Sequence, residues 1–571
     1  MSAESFLILV GDDPAAISSL ASLAQDRLTN EGWIQRLAFP FLQVFTPADG
    51  RLEVTGGLDG HGVLIGEMFD REGRPLTAQE RAVCGCRPLD TARAQAVVSE
   101  LWGRYVLVRR TSGDVAVLRD PSGALEAVSW RRDGVTITTS HPEAAFDPLL
   151  PEDLEIDWLA VANLVRRAGE YRHSLPLKGL TPIAAGELRT LGARGSVVEQ
   201  IWRPAEIYRA ARQRERPDLR VVVERAVRAL AGDRIWVAEV SGGLDSAIIA
   251  GALKQSQREQ VSAWVNHYVE QPEGDERQYA RPVVEQFGFT LSEVRREKLG
   301  LSADRLAQSA GGFRPAINDI DPDYNDDIAM RIAKTGAWGS LTGQGGDAVF
   351  FQMPSPLIAF DEIRERGIGA RLAVLHRIAR WTRRSLWPRA WVSAWRQHRR
   401  SRDAWDHPWL EDLRGVPPAK ALQISVLSFC QTFQGQAVRS RHGACVNPLL
   451  SQPVLEAGLA WSTVDLTWGG RDRAAARSAF QNLLPPALYA RRSKGELGAY
   501  YGEAVADQLP FLRSYLLDGA LAKAGLLDPA MEERLTREAL LWRGGYTTIL
   551  SLALTEAWVR HWQDRLARRQ A

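Results

Sequence analysis

Between residues 234 and 253 the chain reads RIWVAEVSGGLDSAIIAGAL: an apolar run, a cluster of small polar residues, and a second apolar run. The first run has the length and composition of a buried strand and the second continues as a helix, so VSGGLDS marks the handover between them. A tight turn needs one glycine. Two glycines flanked by Ser241 and Ser246 expose free backbone N–H groups at a helix N-terminus and let an anion approach the main chain closely. The spacing is not that of the G-x-x-x-x-G-K-[ST] loop, and the lysine of that loop is absent. Asp245 would repel a bare phosphate. A cation between the two resolves the conflict, and Mg²⁺ shared by carboxylate and phosphate oxygens is the expected one.

The surrounding rhythm sets the fold class. After Pro217 a helical pattern over Leu219 to Leu230 leads into RIWVAEV, and the strand patterns VSAWVNHY and TLSEVRR then alternate with the helical patterns SAIIAGAL and DERQYARPVVEQFG. A helix near Asp326 to Thr335 precedes GSLTGQGGD. Such alternation predicts a doubly wound parallel sheet covered on both faces, with the glycine-rich loops along one edge. From about Pro354 onward the chain reads as mostly helical. Before residue 150 the pattern differs: VLVRRTSGDVAVLRDPSGALEAVSWRRDGVTITTS alternates short β-rich runs with turn signals, as an antiparallel meander does, and Asp90 to Leu101 carries a helix signal. A looser connection with strand candidates such as GELRTL follows. We therefore divide the 571 residues into 1–210 and 211–571.

Composition excludes several classes. Net charge is +2, which gives no global field for nucleic acid, and no apolar stretch approaches the length of a membrane span. MSAESFLILVGDD lacks the basic start of a signal peptide, so a cytoplasmic location is expected and membrane association is not. Cys84 and Cys86 form a lone CxC with no second pair. Lysine occurs only seven times, against a large excess of arginine, so each lysine carries weight.

The motifs resemble a known group. SGGLDS is similar to the pyrophosphate loop of the ATP pyrophosphatases, which split ATP into AMP and pyrophosphate. LTGQGGDAVFF resembles the L-S-G-x-G-x-D-E segment of asparagine synthetases and β-lactam synthetases, with Ala348 in place of the glutamate. RRSKGELGAYY resembles the segment in which those enzymes place a lysine against phosphate and the reacting carbonyl. The resemblance implies ATP and Mg²⁺, with Val240, Ser241, Gly242, Gly243, Leu244, Asp245, Ser246, Thr342 and Gly343 around the nucleotide. Asp245 and Asp347 would hold the metal, and Asp347 and Lys494 would serve catalysis.

The first part resembles the glutaminase domain of asparagine synthetases through Arg119, Asp120 and Gly123 of its R-D-x-x-G segment. The resemblance implies an αββα Ntn-hydrolase domain, but residue 2 is serine rather than the expected cysteine, so a domain without glutaminase activity is expected. An enzyme that activates a carboxylate without making ammonia takes its amine from elsewhere. Among synthetases of this kind, GQGGDAVFF and the tryptophan-rich region most resemble the macrolactam-forming cyclases of lasso peptide biosynthesis. That family implies a precursor peptide as substrate, with a leader-binding protein and a leader peptidase as partners. An ammonia-dependent asparagine synthetase, a β-lactam-synthetase-like enzyme and a non-catalytic nucleotide-binding scaffold are the alternatives. Ala444, Val446 and Ser451 replace the Glu, Arg and Asp of the family's E-x-R-x-P-x-L-D stretch, which argues against a small amino-acid substrate.

Two further features stand apart. Trp387, Trp391 and Trp395 recur at helical spacing among Trp381, Trp405, Trp409 and many arginines, and core packing, a peptide surface and a membrane-surface helix are the readings for this stripe. Glu276 and His267 fall near the expected loop edge, where a solvated helix carboxylate and a strand-end histidine are the plainer descriptions.

Overall fold

The structure is a computed structural model that describes residues 2–256, 260–296, 299–366, 372–385, 392–394, 396, 406–435, 437–492 and 495–570, with Trp542 and Arg543 described as backbone alone. Lys494, Trp387, Trp391, Trp395 and Trp405 lie outside the described residues.

The first part contains two six-stranded sheets. In chain order its strands are β1 (Leu7–Val10), β2 (Trp33–Phe39), β3 (Leu42–Pro47), β4 (Val54–Gly56), β5 (Gly62–Asp70), β6 (Leu101–Arg110), β7 (Asp114–Arg119), β8 (Val128–Arg132), β9 (Val135–Thr139), β10 (Thr181–Pro182), β11 (Glu187–Gly192) and β12 (Gly195–Gln200). One sheet runs β10-β8-β9-β1-β3-β2 and the other β12-β11-β7-β6-β5-β4. Residues that alternate along the strands meet between the sheets: Ile8 and Val10 from one, Val106, Val108, Val115 and Val117 from the other. The opposite faces are also apolar. Leu7 and Leu9 pack with Ile17, Leu20 and Ala24 of the helix Pro14–Asn30, and Leu64 and Leu107 with Val97 of the helix Thr91–Glu100.

Two readings of this region need correction. The stretch 106–140 is not one meander: β6 and β7 pair in one sheet, whereas β8 and β9 pair in the other. The D-P-S-G turn carries the chain across between them, a step that local turn signals do not encode. The connection after residue 150 is less loose than expected: its strand candidate GELRTL forms β11, which pairs antiparallel with β7 from Leu188↔Leu118 to Gly192↔Asp114.

The second part is built on a five-stranded sheet of β13 (Trp236–Glu239), β14 (Val261–Tyr268), β15 (Leu291–Arg295), β16 (Gly339–Leu341) and β17 (Ala444–Val446). All its pairings are parallel and the order is β15-β14-β13-β16-β17. The chain moves outward from β13 through β14 to β15, then returns to place β16 and β17 on the other side. The order therefore reverses between β13 and β16, and the carboxyl ends of those two strands open on a crevice. Both faces are covered. Trp236 and Ala238 pack into the large core with the helices Leu219–Ala231 and Leu244–Gln255, and Val237 and Val265 pack with Ile328 and Ile332 of the helix Pro322–Thr335. Each of these buried valines and isoleucines contributes about 1.5–3 kcal/mol.

The remaining chain is mainly helical, and its last helix, Tyr546–Gln570, returns to the first part. Trp558, Val559 and Trp562 join the core that contains Leu7 and Phe146, and Arg565 donates to Pro142 O at 2.6 Å and Glu143 O at 2.8 Å. Trp409 is 1% exposed, with its indole N–H 3.1 Å from Ala185 O, so it is a core residue. Among the described residues, no helix is long and apolar enough to cross a membrane.

Candidate active site

The two glycine-rich loops meet at the crevice. Val240 extends β13: its N–H donates to Val265 O at 2.9 Å, and its carbonyl accepts from Asn266 Nδ2 at 2.6 Å. Gly242 then turns the chain with φ +88°, where a Cβ would stand 2.5 Å from Glu276 O, so only glycine fits. Gly243 begins the helix Leu244–Gln255 without a side-chain cap. Ser246 Oγ accepts from Ser241 N–H at 3.1 Å and donates to Gly243 O at 3.2 Å, which folds the loop over the first turn of the helix. Leu244 is buried beneath it.

After β16, Thr342 N–H donates to Val446 O at 3.1 Å and its hydroxyl donates to Asn447 Oδ1 at 2.6 Å. The loop that follows lies directly on the first. A Cβ on Gly343 would be 2.6 Å from Ser246 N, and one on Gly346 would be 2.5 Å from Asp245 Cγ. Two motifs about a hundred residues apart are therefore in van der Waals contact. Gly343→Ala should force them apart, weakening nucleotide binding at least about tenfold, at a cost to stability of about 1–3 kcal/mol. Equilibrium binding of a fluorescent ATP analogue and a urea melt measure the two effects, and unchanged binding would show that the contact is incidental.

Asp245 and Asp347 converge on one cationic nitrogen. Arg473 Nη1 lies 2.9 Å from Asp245 Oδ2 and 2.5 Å from Asp347 Oδ1, and its Nε lies 3.0 Å from Asp472 Oδ2. The Arg473 side chain is 4% exposed. Burial penalises its charge, but the Asp245, Asp347 and Asp472 carboxylates outweigh that penalty and raise its pKa. Its backbone is left-handed at φ +49° and ψ 32°, a conformation that an L-residue holds only when the surroundings impose it. The structure thus places a positive charge where the sequence predicts a cation. The sequence reading missed Arg473, because RDRAAARS offers no glycine or motif to set it apart from the other arginines.

The residues fit a magnesium ion. Two hard carboxylate oxygens already face one positive centre, and phosphate oxygens can complete the octahedron that Mg²⁺ requires. Among the described residues no group of three or more His, Cys, Asp or Glu is arranged to hold a metal, so an ion here would draw its other ligands from the phosphates.

The segment flanking Lys494 reaches the same loop. Arg491 Nη1 donates to Gly242 O at 2.9 Å, and Arg491 also pairs with Glu276, whose Oε1 accepts from Gly495 N–H at 2.5 Å. Glu276 is therefore a brace between this segment and the first loop rather than a solvated carboxylate. His267 is a strand residue bonded to Asp327, Nε2 to Oδ2 at 2.9 Å. Burial opposes ionisation of Asp327, but His267 and Arg331 prevail and bring its pKa to about 2.

In the first part, Asp120 accepts from Tyr105 N–H at 3.2 Å and Ser122 N–H at 2.8 Å, and Arg119 donates to Ile183 O and Gly123 O, both at 2.8 Å. These groups clamp a turn. The Ser2 hydroxyl is buried and donates to Ser440 O at 3.3 Å.

Among solved structures, the chain is similar to glutamine phosphoribosylpyrophosphate amidotransferase from B. subtilis complexed with ADP and GMP. Identity there is 12% and the TM-score 0.22, over 51% of this chain and 65% of that one, just under two thirds of its length. An allosteric regulatory enzyme of purine biosynthesis matches with 12% identity and TM-score 0.22, over 53% of this chain and 87% of that one. Likenesses at that level carry no argument about the site. No curated protein sequence matches. The model of the asparagine synthase family matches residues 218–562, more than half of the chain and the whole of the parallel sheet with both loops. The chain belongs to the asparagine synthase family.

Proposed function

We propose that this chain is an ATP-dependent macrolactam synthetase of the lasso peptide type. Membership of the family supports ATP-dependent amide formation in general. The convergence of Asp245 and Asp347 on one cationic position at the strand-order reversal supports metal-assisted activation by ATP, and the finer reading rests on the serine at residue 2 and on Ala444, Val446 and Ser451 in place of the family's charged groups. In this reading residues 211–571 form the synthetase, of the adenine nucleotide α-hydrolase type, and residues 1–210 are a degenerate Ntn-hydrolase domain.

ATP is a substrate here. Ser241, Gly242, Gly243 and Ser246 bind its phosphates, with Val240 and Leu244 shaping the loop and Thr342 and Gly343 closing the other side. An Asp or Glu side-chain carboxylate oxygen of the peptide attacks the α-phosphorus as the bond to the β-phosphate oxygen breaks and pyrophosphate leaves. The peptide's own α-amine then attacks the acyl carbon, loses a proton, and AMP departs with the carboxylate oxygen. Asp245 and Asp347 would hold Mg²⁺, which when bound would supply charge stabilisation to the pyrophosphate. Lys494 steadies charge on phosphate and carbonyl. Holding amine and acyl carbon in one site makes closure unimolecular. Serine at residue 2, with its hydroxyl engaged by Ser440 O, favours an amine carried by the substrate over ammonia released in the first domain. A cytoplasmic location, a leader-binding protein and a leader peptidase belong to the same proposal.

The test incubates the chain with leaderless core peptide, ATP and Mg²⁺. Loss of one water from the peptide with release of AMP is expected, and the N-acetylated peptide should give no ring. Asparagine formed from aspartate and ammonium would assign the chain to the ammonia-dependent synthetases. ATP binding without peptide-dependent pyrophosphate release would make it a scaffold.

A further inference from the structure

A cavity of about 420 Å³ lies where the two parts of the chain meet. Ser2, Ser140 and His141 come from the first part, Gly311 to Asp319 and Gly435, Ala437 and Val438 from the second. It is separate from the loops described above but shares a wall with them. Directly after Val438, Arg439 extends its Nη2 to Gln344 Oε1 at 3.3 Å in the second loop. Asn447, which accepts from Thr342, also donates to Phe433 O at 2.9 Å and Gln434 Oε1 at 3.2 Å. The wall of the cavity is thus tied at two points to the segment that carries Thr342 and Gly343.

The lining is mixed in a particular way. Glu126, Glu143 and Asp319 present carboxylates that already have partners: Arg314 at 2.9 Å and Arg119 at 3.9 Å for Glu126, Ser5 Oγ at 3.1 Å and His141 Nδ1 at 3.3 Å for Glu143, and Val438 N–H at 3.1 Å with the Ser309 side chain for Asp319. A carboxylate accepts about four hydrogen bonds, so each keeps capacity for an ammonium group. Arg172 Nε, Asn318 Nδ2 and His561 Nε2 are buried donors or acceptors with no partner among the described residues. Leu164, Phe313 and Ile317 add apolar surface. Passage of ammonia would need space for little more than one water, whereas this volume lies within the ~300–1,000 Å³ of ligand pockets. Carboxylates for an ammonium, polar groups for main-chain amides and apolar patches for side chains together describe the amine end of a peptide.

We propose that this cavity receives the free N-terminal segment of the peptide substrate and holds its α-amine on the approach to the acyl group, an inference that rests on the macrolactam reading. Gly311 offers the test. Its backbone is not left-handed, and a Cβ there would stand 3.9 Å from the imidazoles of His141 and His561, so Gly311→Leu puts bulk into the cavity without straining the backbone. Expected for Gly311→Leu and for Asn318→Leu is a rise in KM for leaderless core peptide of at least about tenfold, with the Kd for ATP unchanged. Anisotropy of a C-terminally labelled core peptide should show the same loss of affinity, and N-acetylation should weaken binding to the wild type by a similar factor. Unchanged peptide affinity in both variants, beside normal ring closure, would overturn the cavity's role and leave the macrolactam reading intact. No dehydration of the peptide by the wild type would instead overturn that reading, and the anisotropy measurement would still decide whether the cavity binds an amine-terminated peptide.

Discussion

Asp245→Asn should lower the rate of AMP formation by at least about a thousandfold, a loss of about 4 kcal/mol of transition-state stabilisation, while the protein stays folded. Asparagine keeps the shape of the side chain and can still accept from Arg473, but it cannot supply a negative charge to a metal. The Asp245 side chain is 12% exposed and that of Asp347 40%, so Asp245 sits in the less screened position and its replacement should cost more activity than Asp347→Asn. Single-turnover AMP release and a thermal melt separate chemistry from stability. Wild-type turnover by Asp245→Asn would remove this residue from metal binding.

The second large effect is on Arg473. Its guanidinium neutralises Asp245, Asp347 and Asp472 at once, and removal of one partner from a buried ionic cluster costs about 3–5 kcal/mol. Arg473→Gln leaves the strained backbone in place, so the measured loss reports the guanidinium's charge and its hydrogen bonds to the three carboxylates. We expect Arg473→Gln to melt well below the wild type in the absence of divalent cations. Without nucleotide, added Mg²⁺ should recover part of the difference in the variant and do little to the wild type, where the guanidinium neutralises both carboxylates until a metal–ATP complex displaces it. An equal Mg²⁺ response in both proteins would show that Arg473 does not stand in the metal position.

Much of the parallel sheet could be read from the chain because its signals are local. The alternation from Leu219 to Leu341 matches the observed elements, and Gly242 marks its loop because no other residue takes that backbone. Contact between the loops followed from strand order, since Gly339–Leu341 lies beside Trp236–Glu239 in a sheet whose carboxyl ends share one edge. What escaped the sequence depends on distant partners. β17 is three residues long, ACV, and exists because β16 offers it an edge. The split of β6-β7 and β8-β9 between two sheets is set by packing rather than by turn chemistry. Arg473 escaped for the same reason: its role comes from two aspartates that lie 228 and 126 residues earlier.

The claim on which the account rests is that a peptide carboxylate attacks the α-phosphorus of ATP at this crevice, and isotope transfer tests it most directly. Core peptide carrying ¹⁸O in its Asp or Glu side-chain carboxylate, cyclised with unlabelled ATP, should pass one labelled oxygen to AMP, with pyrophosphate unlabelled. Label in inorganic phosphate with ADP as the other product, or AMP without label, would contradict adenylation.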